Sequence, residues 1–598
     1  MNREEIEEKY LWDLTKIFSS IDEFNKEYEN IKKEIIGYKK HENIMLENAK
    51  NIYNAIDEYY KISRRLEKLY VYTSLSFDEN TANNDKQALK LKMSNLYDEW
   101  SKNSFFISTN ILKKDYKEIE EYYKEEPKLL EYEIALKQEF RYKEHILTDI
   151  EEKLLSNMSK IFNNDERTYD LLKDSDITFG NITDEEGNEV ELTCSNYSIY
   201  IESKDREVRK KAFKTLYKPY KQFINTFAST LSGSINEITT IAKIKKYNSA
   251  IEATLYKDEL SLDIYNNLID TVNNNLNILF KYYDLKKELL KLDELHLYDI
   301  YTPIVSNFSK KYPFEEGKEI VIDSLRVLGE DYVNTLKEGI NNRWIDTYPT
   351  RAKRTGAYSG GAYDTYPYVL LNYQDKYNDV STLAHELWHS MHSYYSRSNN
   401  DYQYGNYSLF VAEVASTVNE LLLSKYLLKI SNDKEEKLFI LDNLMTLFKS
   451  TIYRQTMFAE FEQDIYNCAE QDIPLTADFL SNKYYDLNKK YFGANVIVDE
   501  EVKYEWSRIP HFYYNFYVYK YATGLSAACQ IVDNILSGNE NAVGNYKKFL
   551  SCGSTENPID SLKLAGVDLT KKEVVESALN MFDDTIKEFK ELYQESDK

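Results

Sequence analysis

Apolar residues recur at three- and four-residue spacing along most of this chain, the mark of amphipathic helices. The pattern covers residues 21–39 and 45–112, where Ile52, Ile56, Tyr59, Ile62, Leu66 and Leu69 form one stripe. Breaks are expected at 78–85 and 103–108, and Glu- and Lys-rich helices continue over 116–160. At 176–193 alternating residues flank Glu186-Gly187-Asn188 and predict a β-hairpin. Helical spacing resumes over 204–295, a connection with Pro303 spans 296–304, and a further helix is expected near 316–328. Residues 351–375 break the pattern again. Gly356, Gly360 and Gly361 fall within six residues, and 368–373 then reads as a strand, which the preceding Pro367 suits to a sheet edge. Asp379 is placed to cap the helix that follows. Residues 407–428 form another helix, mostly apolar. The fold class is therefore mainly α, with a small β-sheet beside one helix. An N-terminal helical region (1–200), ending in the hairpin, carries no chemical motif and reads as a layer that packs over something else. Residues 201–598 hold the motifs.

Composition sharpens this picture. Only 17 glycines and 9 prolines in 598 residues favour long helices over many short strands. The 54 tyrosines reflect a general bias, so a tyrosine carries meaning only where it stands beside chemistry. A net charge of −24 disfavours nucleic acid and anionic membranes as partners. No run of 18 or more apolar residues occurs and MNREEIEEKY has no apolar signal core, so the cytoplasm is the expected location. Cys194, Cys468, Cys529 and Cys552 lie far apart and read as free thiols.

The chemistry centres on residues 382–395, TLAHELWHSMHSYY. His385 and His389 stand four apart, on one face of a helix, and both imidazoles can reach one metal ion. Glu386 is placed to act as general base on a water beside that metal. With seven histidines in the chain, the H-E-x-x-H pattern arises by chance on the order of 0.01 times. The competing reading is an amphipathic helix with two packed histidines. A catalytic zinc needs a third protein ligand. His392 lies seven residues from His385, about 10.5 Å along the axis, so it fits a place behind the ligands or facing substrate. Glu413, inside the apolar run of 407–428, is costly to bury without a partner, which a metal would provide. Glu420, on the same face, is placed to orient a ligand histidine. Ser390 and Ser393 are read as bystanders to the chemistry.

Four blocks in order, AKRTGAYSGGAYDTYPYVLLNYQD, TLAHELWHSMHSYYS, SLFVAEVASTVNE and IPHFYYNFYVYKYATG, resemble oligoendopeptidase F of the thimet-oligopeptidase family of zinc metallopeptidases. The resemblance implies one zinc ion per chain on His385, His389 and Glu413, with Glu386 as base. It implies a two-lobed helical shell around a deep channel, with 201–598 as the metallopeptidase domain. The implied activity is hydrolysis of internal bonds in short unstructured oligopeptides by direct attack of water. Gly360, Gly361, Tyr368, Val369 and Leu370 are then expected to hold the peptide, the strand by main-chain pairing. His511, Tyr514, Tyr517 and Tyr521 fall on one helical stripe by spacing, which alone would read as aromatic core. The resemblance makes them candidates to hydrogen-bond the carbonyl oxygen as it gains charge. Trp388 departs from the small residue usual at its position and is expected to narrow the cleft or alter helix packing. Two alternatives are a zinc carboxypeptidase on a similar shell and a non-catalytic peptide binder, against which the intact Glu386 argues.

Overall fold

The computed structural model describes residues 2–306 and 308–595. It is built mainly of helices, many of them long, with a few short strands, and the chain divides into two compact units whose segments alternate along the sequence.

One unit comprises Met1–Glu144, Lys310–Leu423 and Ile531–Gly566. Its first long helices are Ile21–Tyr38, Ala49–Asp78 and Asn84–Ser104. Ser20 and Asn48 open the first two, each side chain accepting the N–H three residues on. The expected stripe is inside: Ile52, Ile62, Leu66 and Leu69 are fully buried, Ile56 nearly so, and Tyr59 packs at the margin. The break anticipated at 78–85 falls between two helices. This N-terminal layer shares one core with a three-stranded sheet, because Tyr368 and Leu370 cluster with Trp12, Ile31 and Trp100. The Trp12 indole meets the Tyr368 ring edge-on at 6.1 Å, and the Tyr368 hydroxyl donates to the Asp13 carbonyl (3.0 Å).

The sheet corrects one expectation. Its order is Ile345–Asp346, Tyr368–Leu370, Tyr358–Gly360, so the strand after Pro367 is central rather than an edge. Val369 and Leu371 donate to Trp344 and Asp346 carbonyls on one side (both 2.8 Å), and Tyr358–Gly360 pairs antiparallel on the other. Pro367 precedes the ladder, so its missing N–H costs no bond there. Tyr368, Val369 and Leu370 are fully buried. Central and buried, this strand has no free main-chain edge for a peptide; the strand with an open edge on the other side is Tyr358–Gly360.

The H-E-x-x-H helix, Tyr377–Asn399, follows the sheet. It begins two residues before Asp379, which therefore acts from within the first turn. Its carboxylate accepts the N–H groups of Gln374 (2.9 Å) and Lys376 (2.8 Å).

The second unit comprises His145–Ser309, Ser424–Gln530 and Val567–Lys598. It contains the expected hairpin, Asn181–Thr183 against Glu189–Glu191, with Gly187 at φ 85° in the turn. Helices including Ile224–Ile244, Arg454–Glu470 and Ala477–Phe492 build its interior. Glu505 is buried there as a paired charge, accepting from Tyr484 (2.6 Å), Arg454 (2.8 Å) and Tyr217 (3.1 Å).

Candidate active site

One helical turn brings the two motif histidines together: their Nε2 atoms lie 3.2 Å apart. Glu413, on the helix Leu409–Ile430, places Oε2 4.0 Å from His385 Nε2. The donor atoms of all three residues lie within 4.8 Å of one another. Two ligands each about 2.0–2.1 Å from a tetrahedral ion lie about 3.3 Å apart, so the facing imidazoles have the spacing of a zinc pair. The donor set, two nitrogens and one carboxylate, is that of a catalytic zinc site.

Glu420 prepares this arrangement from behind, with Oε1 2.5 Å from His385 Nδ1. The carboxylate accepts the Nδ1–H, the tautomer that leaves a lone pair on Nε2. Burial opposes the His385 imidazolium, but Glu420, joined by Glu386 and Glu413, raises its pKa overall. Among the described residues no carboxylate backs His389 in this way; burial and the neighbouring His385 push it down to about 3, so it is neutral and keeps a lone pair.

Glu386 is buried, and that burial pushes its carboxyl up to about 7, with Glu413 adding to the rise. His385 and the backbone N–H of Ser359 act in the opposite direction. Ser359 belongs to the edge strand, and its hydroxyl meets that of Ser390 at 2.9 Å. Ser390 in turn donates to the Glu386 carbonyl (3.1 Å), fastening the edge strand to the motif helix. Nothing in the sequence marked Ser359 except its place beside the glycine pair.

His392 does not face an open cleft. It is buried, stacked on Tyr407 at 3.5 Å and 9°, with Trp388 and Phe549 on other sides. The Tyr407 hydroxyl reaches the His389 carbonyl (3.5 Å) and the Ser393 hydroxyl (3.1 Å). Trp388 is fully buried and donates its indole N–H to the Tyr546 hydroxyl (2.8 Å), on the helix Ala542–Ser551. The indole is thus enclosed between the motif helix and the helix Ala542–Ser551.

At the edge strand, a Cβ on Gly361 would come 2.6 Å from the Tyr366 carbonyl oxygen, so that approach requires glycine. Arg397 donates to the Gly361 and Ala362 carbonyls (3.1 and 3.0 Å) and fixes the turn. Gly360 meets only the Tyr358 ring at 3.6 Å.

His511, Tyr514, Tyr517 and Tyr521 belong to the second unit, and they do not share one helix. A short 3-10 turn, Pro510–Tyr513, is followed by Asn515 and Phe516 at φ 50° and 54°, and the helix starts only at Tyr519. The cause is Glu462, whose carboxylate accepts the Phe516 N–H (2.7 Å), aided by Tyr466, which donates to Asn515 Oδ1 (3.2 Å). The rings still gather: the centroids of Tyr514, Tyr517 and Tyr521 lie 5.7, 6.3 and 6.0 Å from that of His511. Burial lowers the His511 pKa. Tyr513, between them in sequence, is core, stacked on Tyr169 and bonded to Thr230.

Family models match two segments, "Oligopeptidase F" over residues 110–179 and "Peptidase family M3" over 199–581. Oligopeptidase PepF of Bacillus subtilis is 43% identical over 591 residues, 99% of this chain and 88% of that protein. Group B oligopeptidase PepB of Streptococcus agalactiae is 36% identical over 99% of this chain and 98% of its own. The crystal structure of oligoendopeptidase-F from Enterococcus faecium superposes with a TM-score of 0.74 at 35% identity, covering 96% of this chain and 99% of that one. The resemblance carried by the four sequence blocks thus extends over nearly the whole chain. The protein belongs to peptidase family M3, on its oligopeptidase F branch, and is a metalloendopeptidase.

Proposed function

We propose that the protein hydrolyses internal bonds of short, unstructured oligopeptides, with one zinc ion held by His385, His389 and Glu413. The observation that carries this reading is the pair of facing Nε2 atoms with Glu413 beside them and Glu386 on the adjoining face. When bound, zinc supplies Lewis-acid chemistry, polarising the scissile carbonyl and acidifying water. Glu386 takes the proton of the attacking water and passes it to the leaving amine. Glu420 holds His385 in its ligating tautomer. The family resemblance assigns His511 and the tyrosines gathered around it, Tyr514, Tyr517 and Tyr521, as donors for the carbonyl oxygen as it gains charge. The peptide lies extended along Tyr358–Gly360, where a Cβ on Gly360 would meet only the Tyr358 ring within 4 Å.

The matched family segments support a division near residue 200, with a helical region before it and the peptidase domain after it. No described helix is long and apolar enough to cross a membrane. We assign the activity to the cytoplasm, where four separate free thiols are stable.

A quenched peptide blocked at both ends tests the reading. It should be cut internally, and a chelator should stop the reaction. A requirement for a free C-terminus would instead identify a carboxypeptidase.

A further inference from the structure

The second unit contains a cavity of about 210 Å³ that no step of peptide hydrolysis uses. Its wall is largely apolar, from Leu279, Ile300, Met457 and Phe492. Four polar groups on that wall lack a hydrogen-bond or salt-bridge partner among the described residues: Lys449 Nζ, Gln455 Oε1, and the hydroxyls of Tyr283 and Tyr301. Lys449 is only 7% exposed, and its ammonium lies 5.1 Å from the centre of the Tyr301 ring. The other lining cation, Arg454, is occupied by Glu505 (2.8 Å). Every lining residue belongs to this unit, which does not hold His385 or His389.

A fold gains nothing from a buried, unpaired ammonium; such a group is costly unless something pairs with it. The local backbone is also unusual. The helix Lys434–Phe448 passes into a π-helical turn, Lys449–Tyr453, before Arg454–Glu470 continues. π-Turns are rare and cluster at binding sites, and this one supplies Lys449, Ser450 and Tyr453 to the wall.

The volume limits the occupant. A dry cavity of about 150 Å³ accepts benzene, whereas drug-sized ligands need about 300 Å³ or more. The occupant is therefore small, with an apolar body. It carries an anion for Lys449 and the tyrosine hydroxyls, and a donor for the Gln455 oxygen. We propose that this cavity binds a free amino acid with an apolar side chain: carboxylate on Lys449, Tyr283 and Tyr301, ammonium on Gln455. Burial, with Lys286 and Arg454 nearby, pushes the Lys449 ammonium down to about 7 against the opposite pull of Asp442 and Glu202, and a carboxylate bound in the cavity would add to that pull.

The test is calorimetric titration of the full chain with L-leucine, L-leucinamide and 4-methylpentanoic acid. L-Leucine should bind saturably, and each analogue should bind about 10–100-fold more weakly, the effect of one charge-assisted hydrogen bond. Lys449→Met should melt no lower than the parent, since it removes an unpaired buried charge, yet lose L-leucine binding. Tyr301→Phe, which keeps the shape, should weaken binding about tenfold and serves if Lys449→Met fails to fold. No binding of any probe at about 10 mM, a concentration that detects sites of millimolar affinity, would mean the cavity holds water only and would overturn the proposal. Unchanged L-leucine binding in both variants would place the ligand elsewhere, with the same consequence. Equal binding of 4-methylpentanoic acid and L-leucine would refute the role given to Gln455.

Discussion

Replacing Glu462 by glutamine should change the protein's stability in a way that reverses with pH. Glu462 is fully buried, Oε1 accepts the Phe516 N–H, and Oε2 has no hydrogen-bond partner among the described residues. Burial pushes its carboxyl from 4.5 up to about 8, with the Phe516 N–H opposing. Because the folded state keeps a proton that the unfolded chain loses, stability falls as pH rises from about 4.5 to about 8 and levels off above. At about 1.4 kcal/mol per pH unit, a gap of about 3.5 units amounts to about 5 kcal/mol, an upper bound because the interior relaxes around a charge. Glutamine keeps the acceptor for Phe516 and does not titrate. Its amide places an unpaired donor at the Oε2 position, costing about 1–3 kcal/mol at every pH. The variant should therefore be less stable than the parent near pH 5 and more stable, by about 2–4 kcal/mol, near pH 8. Urea unfolding of both proteins at matched pH gives the comparison. A parent–variant difference that is the same at both pH values would show that Glu462 does not titrate as described.

Four further outcomes follow from the geometry. Glu413→Ala should leave the two histidines without their third ligand, and metal analysis should show zinc lost from the purified protein; full occupancy would refute the ligand set. Glu386→Gln should lower turnover by at least about 10²–10⁴-fold while zinc content stays at the parent level, and kcat near the parent value would exclude it as base. Trp388→Ala should cost about 3–5 kcal/mol by opening a cavity and leaving the Tyr546 hydroxyl unpaired, read as a lowered denaturation midpoint with zinc retained at low temperature. A peptide that is cut when free should resist cleavage as a buried strand of a stable protein, since unfolding it first costs about 5–15 kcal/mol; comparable rates in gel and fluorescence assays would contradict the extended-substrate reading.

The helices were legible because their evidence is local and repeated. The stripe from Ile52 to Leu69 and the break after Asp78 follow from spacing alone, and the structure buries the stripe and ends the helix there. The H-E-x-x-H pair was legible for the same reason, since four residues make one turn. Position within the sheet was not. Pro367 favours an edge only when its nitrogen falls inside the ladder, and the strand starts one residue later. Nor could spacing reveal that the His511 segment leaves the helix. That break depends on Glu462, about fifty residues away, holding Phe516 in the left-handed region. For a bulky residue that conformation is costly, and only a strong tertiary acceptor sustains it.

These failures share a cause that bears on function. Local rules assume that charged groups seek water and that backbone follows propensity, and they fail where a buried polar group overrides both. Glu505 shows what a purely structural buried charge looks like in this protein: a carboxylate with an arginine and two tyrosines on its oxygens. Glu462 and Lys449 lack that company. One spends its single hydrogen bond on the strained turn that presents His511 and its tyrosines, and the other faces a cavity from a π-turn. If both were only packing, apolar residues of equal size would stabilise the fold at neutral pH and change nothing else. For Glu462→Leu, loss of the Phe516 acceptor should instead release the turn and lower kcat with zinc content intact, because the rings around His511 would no longer be held together. Parent kcat in Glu462→Leu would assign the carboxyl to packing and separate the turn from the chemistry.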